Sequence, residues 1–108
     1  MAYFVRLTRS AACDLEQMCD WIADHDLPAK ALHVLDRITS AAENIRKSPH
    51  SGSRPPELPP GMEAEYRQVF FKPYRVIYEV RQAEVIVHLI ADGRRDLQPL
   101  LLRRLAEG

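Results

Sequence analysis

The sequence is short of the patterns that mark catalysis. Its four histidines, His25, His33, His50 and His88, never fall into an H-x-x-x-H spacing, and no C-x-x-C occurs. Nothing therefore supports a zinc or other metal centre. A glycine-rich phosphate loop is missing, and so is the G-x-S-x-G turn of a hydrolase. No cofactor and no small-molecule substrate are expected. The two cysteines, Cys13 and Cys19, are six residues apart on one predicted helix, where their side chains point to different turns. They cannot close a disulfide there and are expected as thiols in a reducing cytosol. Cys13 falls mid-helix on an apolar flank, which is a poor setting for a nucleophile. No stretch approaches the ~20 apolar residues that span a bilayer. The opening MAYFVRLTRSAACDLEQ reaches an acid by Asp14 and is not expected to be a secretory signal. A cytoplasmic protein away from membranes is the expectation. Net charge is zero, so attraction to a polyanion is not forced.

What is present is an ordinary globular composition, 46% apolar and 28% charged over 108 residues. That fits a single domain over residues 1–108, since smaller pieces could not hold a core. Ala2–Thr8 alternates Tyr3, Val5 and Leu7 with Phe4, Arg6 and Thr8, which predicts a strand. Ser10 is the expected cap of a helix from Ala11 to about His25, with Leu15, Met18, Cys19 and Ile22 as its buried stripe. Asp14, Glu16, Asp20 and Asp24 read as its exposed acidic face. Pro28 opens a second helix that Pro49 stops. Its inward face is expected to carry Ala31, Leu35, Ile38, Ala42 and Ile45. The short link Asp26–Leu27 makes the two an antiparallel hairpin. His50–Gly61 holds four of the eight prolines and is expected to cross the surface as an ordered, partly extended loop.

Three strands follow, predicted at Tyr66–Phe71, Tyr74–Val80 and Glu84–Ala91, rich in β-branched and aromatic residues. Links this short allow only antiparallel neighbours. Asp96 caps a final helix, Leu97 to about Ala106, with a stripe of Leu97, Leu100, Leu101 and Leu105. A helix this short must dock to be stable. The order is β-α-α-β-β-β-α. It describes an α+β domain whose helical hairpin packs on a small, mainly antiparallel sheet, with the helices mostly on one face.

Arginine outnumbers lysine 12 to 3, which suits bidentate contacts to phosphate or carboxylate. Arg67 and Arg75 interrupt the apolar strands, and Arg94 and Arg95 follow the last one. A buried, unpaired guanidinium is costly. These arginines are therefore expected on an open face or at the end of the sheet. Arg67, Arg75 and Arg95 would converge on one rim, with Lys72 and Arg94 beside them. The competing reading is separate surface arginines paired with Glu65, Glu79 or Asp96.

Four segments together resemble the RelE/ParE superfamily of bacterial type II toxins. They are Y-R-x-x-x-x-x-P-Y-R-V-I-Y-E-V from Tyr66 and V-x-V-H-x-I-A-D-G-R-R-D-L from Val85. The others are A-x-x-D-L-E-Q-M-x-x-W-I-A from Ala11 and P-x-x-G-S-x-x-P-E-L from Pro49. The long hairpin is more similar to the ParE branch. The resemblance implies a toxin neutralised by a cognate antitoxin encoded beside it. RelE-like members cut messenger RNA on the ribosome, and Arg67, Arg75 and Arg95 fall where that branch keeps basic residues. A further lysine of that branch is replaced by Val69. Its tyrosine falls at Leu101, which cannot do acid–base work, and His88 reads as structural. The ParE branch instead acts on DNA gyrase and needs a binding surface. The resemblance thus points first to a gyrase inhibitor. A ribosome-dependent endoribonuclease is the alternative, and an inactive relic that binds antitoxin and regulates transcription is a third. The antitoxin tail is expected to fold on contact, in grooves beside the hairpin and over the sheet. Trp21 is assigned to the core, with an anchoring role as the alternative.

Overall fold

Two links of two residues each build most of the sheet. Lys72–Pro73 joins strand β2 (Glu65–Phe71) to β3 (Tyr74–Arg81), and Gln82–Ala83 joins β3 to β4 (Glu84–Asp92). The computed structural model describes residues 3–62 and 65–107. Strand β1 (Phe4–Leu7) precedes helices α1 (Arg9–His25) and α2 (Pro28–Lys47), and helix α3 (Gln98–Glu107) follows β4. The strand order is β1-β4-β3-β2. β1 lies parallel to β4, and the other pairs are antiparallel. This is the expected α+β order with a mixed sheet.

Helix α1 starts two residues before the predicted Ala11. Thr8, not Ser10, is its cap: extended backbone at Thr8 lets Oγ1 accept the Ala11 amide at 3.1 Å. That use of Thr8 ends β1 at Leu7; the predicted start at Ala2 lies outside the described residues. The Ser10 hydroxyl instead donates to Glu107 at 3.2 Å, tying the start of α1 to the end of α3.

The inward stripe of α1 is Ala11, Leu15, Met18 and Ile22. On α2 it is Val34, Ile38, Ala41 and Ile45, whereas the predicted Leu35 is 40% exposed. The stripe is rotated by about one residue because α2 packs against both α1 and the sheet. Its sequence offers apolar residues on either flank, and periodicity alone does not choose between them.

The helical hairpin covers one face of the sheet, as expected, and α3 covers part of the other. Val76 and Tyr78 of β3, Phe71 of β2 and Val85, Val87 and Ile90 of β4 pack under the hairpin. On the reverse, Ile77, Leu89 and Ala91 meet Leu97 and Leu101 of α3 and Leu58 of the proline-rich segment. α3 docks there through its leucine stripe, with Leu97 and Leu101 buried and Leu100 and Leu105 partly buried beside them. His88 is skipped in the ladder: Leu89 pairs with Ile77 and Val87 with Tyr78. Such a bulge re-aims side chains locally.

The proline-rich segment is an ordered strap, as expected. A 3-10 turn at Pro49–Ser51 opens it, and Ser53 bridges Gln68 on the free edge of β2. The contact is tight at Gly52. A Cβ there would lie 2.6 Å from the Tyr78 hydroxyl and 2.7 Å from the Gln68 carbonyl. Tyr78 is wholly buried and donates to the Pro49 carbonyl at 2.8 Å.

Candidate functional site

Register decides where the sheet arginines point. Arg75 stands opposite Phe70 and Ala91, whereas Arg67 stands opposite Tyr78. Residues in direct register share a face, and faces alternate along a strand. Arg67, three positions from Phe70, therefore lies on the hairpin side, and Arg75 lies on the α3 side. They do not converge on one rim. This corrects the expected cluster, and its cause is parity: a two-residue turn at Lys72–Pro73 forces it.

Neither arginine is on an open face. Arg75 is 5% exposed. Its Nη1 and Nη2 grip Glu57 of the strap at 2.5 and 2.8 Å, and Nη2 also donates to Gln68. The guanidinium carbon sits 5.6 Å from the Phe70 ring centroid. Among the described residues the buried Nε has no partner. Gly93 makes room for the stem, since a Cβ there would lie 2.8 Å from Arg75 Cγ. Arg67 is half-buried, donating to Glu65 at 2.9 Å and to the Gly52 carbonyl at 2.6 Å. Glu65 also holds His50. Expected pairing with Glu65 is thus found for Arg67, but the partner of Arg75 comes from eighteen residues upstream.

The hydrogen bonds from Arg75 hold the Glu57 carboxyl below the usual range, against the effect of burial. Its folded-state pKa is lower than the unfolded one of about 4.3. The stability it supplies is then complete above that value and is lost as pH falls through the depressed pKa. Thermal midpoints measured from pH 7 to pH 3 should hold level to about pH 4.3 and then fall. The fall should be shallower in Glu57→Gln.

The remaining predicted cations lie at the end of the sheet. Lys72 is exposed in the β2–β3 turn. Arg94 is bound by Asp92 through contacts of 2.9 and 2.5 Å, and those bonds pull the Asp92 carboxyl down to about 2. Arg95 is exposed, and among the described residues its guanidinium has no ion-pair partner. Its amide donates to the Asp92 carbonyl at 3.2 Å.

Arg94 and Arg95 form one wall of a cleft of about 450 Å³. α1 supplies the opposite wall with Gln17, Met18, Trp21 and Ile22, and Tyr74 and Ala91 line the sheet side. Trp21 is 61% exposed, not core. Ile22 takes the inward position, and one residue back the indole turns about 100° away from it. It stacks on His25 with ring centroids 4.3 Å apart.

Two polar groupings escaped the pattern reading. Asp14 belongs to no exposed acidic face. It takes Arg104 of α3 at 2.6 and 2.8 Å and the Ile90 amide at 3.1 Å, clamping α1, α3 and β4. On the α3 side, Glu79 and His88 are 5% and 3% exposed and 3.0 Å apart, with Arg81 on the same carboxylate. Burial works to raise the Glu79 carboxyl, but the hydrogen bonds from Arg81 and His88 win and hold it below the usual range. Buried polar groups need partners, and Glu79 and His88 supply each other's. Leu101 is wholly buried in the second core. Among the described residues, no group of three or more His, Cys, Asp or Glu is placed to hold a metal, and no helix is long and apolar enough to cross a membrane.

A family model described as the ParE toxin of the type II toxin–antitoxin system, parDE, matches residues 5–97. No curated protein sequence matches the chain. Among solved structures, the chromosomal ParDE toxin–antitoxin system from P. aeruginosa contains a chain of similar fold. The TM-score is 0.68 at 23% sequence identity, covering 83% of this chain and 95% of that one. At that identity the likeness is one of fold.

Proposed function

This chain belongs to the ParE toxin family of type II toxin–antitoxin systems, and on that premise we propose that it inhibits DNA gyrase and blocks replication until a cognate antitoxin neutralises it. The family match over residues 5–97 carries the reading. The geometry around the arginines supports a binding role over RNA cleavage. A scissile phosphate needs uncommitted cations converging on it, together with groups that move protons. Here Arg75 is already neutralised by Glu57, and Arg67 points to the other side of the sheet. The position where the RNA-cutting branch keeps tyrosine is Leu101, which is wholly buried in the second core. What stays exposed at the sheet end is Lys72, Arg94 and Arg95, a surface suited to contact and not to chemistry.

The reading is tested by a supercoiling assay with purified gyrase. The expected result is loss of supercoiling at a modest molar excess of this protein, with cleaved DNA accumulating and activity returning when the antitoxin is added. Undiminished supercoiling at high excess would remove the gyrase reading. Cleavage of messenger RNA on programmed ribosomes would replace it.

A further inference from the structure

We propose that a second pocket, where β1, the start of α1 and the end of α3 meet, binds a phosphate group through Arg6, Arg9 and Ser10. It shares no lining residue with the cleft beside Trp21. The inference does not depend on the gyrase reading.

The pocket measures about 390 Å³ and is lined by Arg6 and Thr8, by Arg9 and Ser10 at the start of α1, and by Arg104 and Glu107 of α3. Three elements thus bring three guanidiniums to one space, and their commitments are uneven. Arg104 is spent: both its Nη groups hold Asp14, and Nη1 also donates to the His88 carbonyl. Thr8 Oγ1 is occupied as the cap of α1. Arg6 uses only its Nε, on Glu84 at 3.0 Å, so among the described residues both of its Nη groups are open. Each partner in that pair is about half exposed, and such a pair yields to a better anion at little cost. Arg9 is exposed, and among the described residues its guanidinium has neither a hydrogen bond nor an ion pair. The Ser10 hydroxyl reaches Glu107 at 3.2 Å, long for a hydroxyl donor and easily exchanged.

Charge alone is nearly balanced here, because Glu84, Asp14 and Glu107 lie beside the three arginines. The start of α1 and the close of α3 carry opposite partial charges and offset each other. The hydrogen-bond inventory is what selects the ligand. The open Nη groups of Arg6, the whole Arg9 guanidinium and the Ser10 hydroxyl are all donors, and Glu107 is the one lining carboxylate to receive them. Guanidinium forks match the oxygens of a phosphate. A carboxylate has two oxygens in one plane and would serve one wall. The oxygens of a phosphate diverge tetrahedrally and reach β1 and α1 together. A phosphate fills only part of the pocket and leaves room for whatever carries it. The shared chemistry is therefore the phosphate group, supplied free or on a small molecule, or by a nucleic-acid strand.

The test follows backbone amide resonances of the full-length protein during titration with inorganic phosphate, at a fixed ionic strength of about 0.15 M. Saturable shifts are expected at Arg6, Arg9 and Ser10, with none from chloride. Arg9→Ala and Arg6→Gln should each weaken the phosphate affinity about fivefold or more. Glu107→Gln should tighten it about twofold or more, because the one lining carboxylate is then neutral. Arg37→Ala, at an exposed arginine of α2 outside the lining, should leave it unchanged. Arg6 and Arg9 are exposed, so their variants should keep the parent circular dichroism. A short DNA duplex that moves the same amides at lower concentration, and that phosphate displaces, would assign the site to a nucleic-acid strand. A duplex that leaves them in place while phosphate moves them would assign it to free phosphate or a phosphorylated small molecule. Shifts that never saturate, or an affinity undiminished in both Arg9→Ala and Arg6→Gln, would overturn the site. None of these results bears on the supercoiling assay, so the two readings fail separately.

Discussion

Glu57→Ala should lower the unfolding free energy by about 3–5 kcal/mol, read from urea denaturation at pH 7. The size follows from what is left behind. Arg75 has only 6% of its side chain in contact with solvent, and Glu57 supplies its counter-charge through two short hydrogen bonds. Without Glu57 the guanidinium keeps one neutral acceptor, Gln68, and its Nε is already unpartnered among the described residues. A buried charge stripped of its partner is among the costliest single changes a small domain can suffer. Adding Arg75→Met to Glu57→Ala should recover most of the loss, because the desolvated charge is then gone. The sign of that coupling is the informative part. A loss under about 1 kcal/mol for the single variant would mean that Arg75 reaches water. It would then be free to meet an external anion, and the case against RNA cleavage would weaken.

A second large effect is expected at Leu101. Truncation to alanine should cost about 2–5 kcal/mol, the range for a wholly buried leucine whose cavity closes only in part. Leu101 and Leu97 hold α3 on the reverse of the sheet, against Ile77 and Leu89. At ten residues α3 has little stability of its own, so loosening its anchor should free the whole element. Amide exchange in α3 should quicken more than in α2, and the Arg104–Asp14 clamp should weaken with it. Uniform quickening across the chain would show instead that α3 unfolds only with everything else.

Much of the architecture could be read before any coordinates. The runs from Tyr66 to Phe71 and from Tyr74 to Val80 differ from the observed strands by one residue at most. Pro28 and Pro49 bracket α2 as expected. Those features are local: a proline excludes certain backbone states whatever surrounds it. Cap choice was less secure. Thr8 and Ser10 both have hydroxyls, and the winner is decided by where β1 must end. The opposed faces of Arg67 and Arg75 were in principle legible. Once a two-residue turn at Lys72–Pro73 is accepted, counting parity from Phe70 separates them.

The charge partners were not legible in the same way. Glu57 is eighteen residues from Arg75, and Asp14 is ninety from Arg104. Trp21 at a cleft, not in the core, is a third case. It depends on which side of α1 the sheet occupies.

By itself, the amino-acid order determined the elements, their succession and the α+β class, because periodicity and turn chemistry act over a few residues. Only the tertiary structure decided which cations are spent inside the protein and which remain for a partner. A guanidinium becomes available or unavailable through desolvation and a nearby carboxylate, and in this chain the carboxylates that settle it arrive from distant segments.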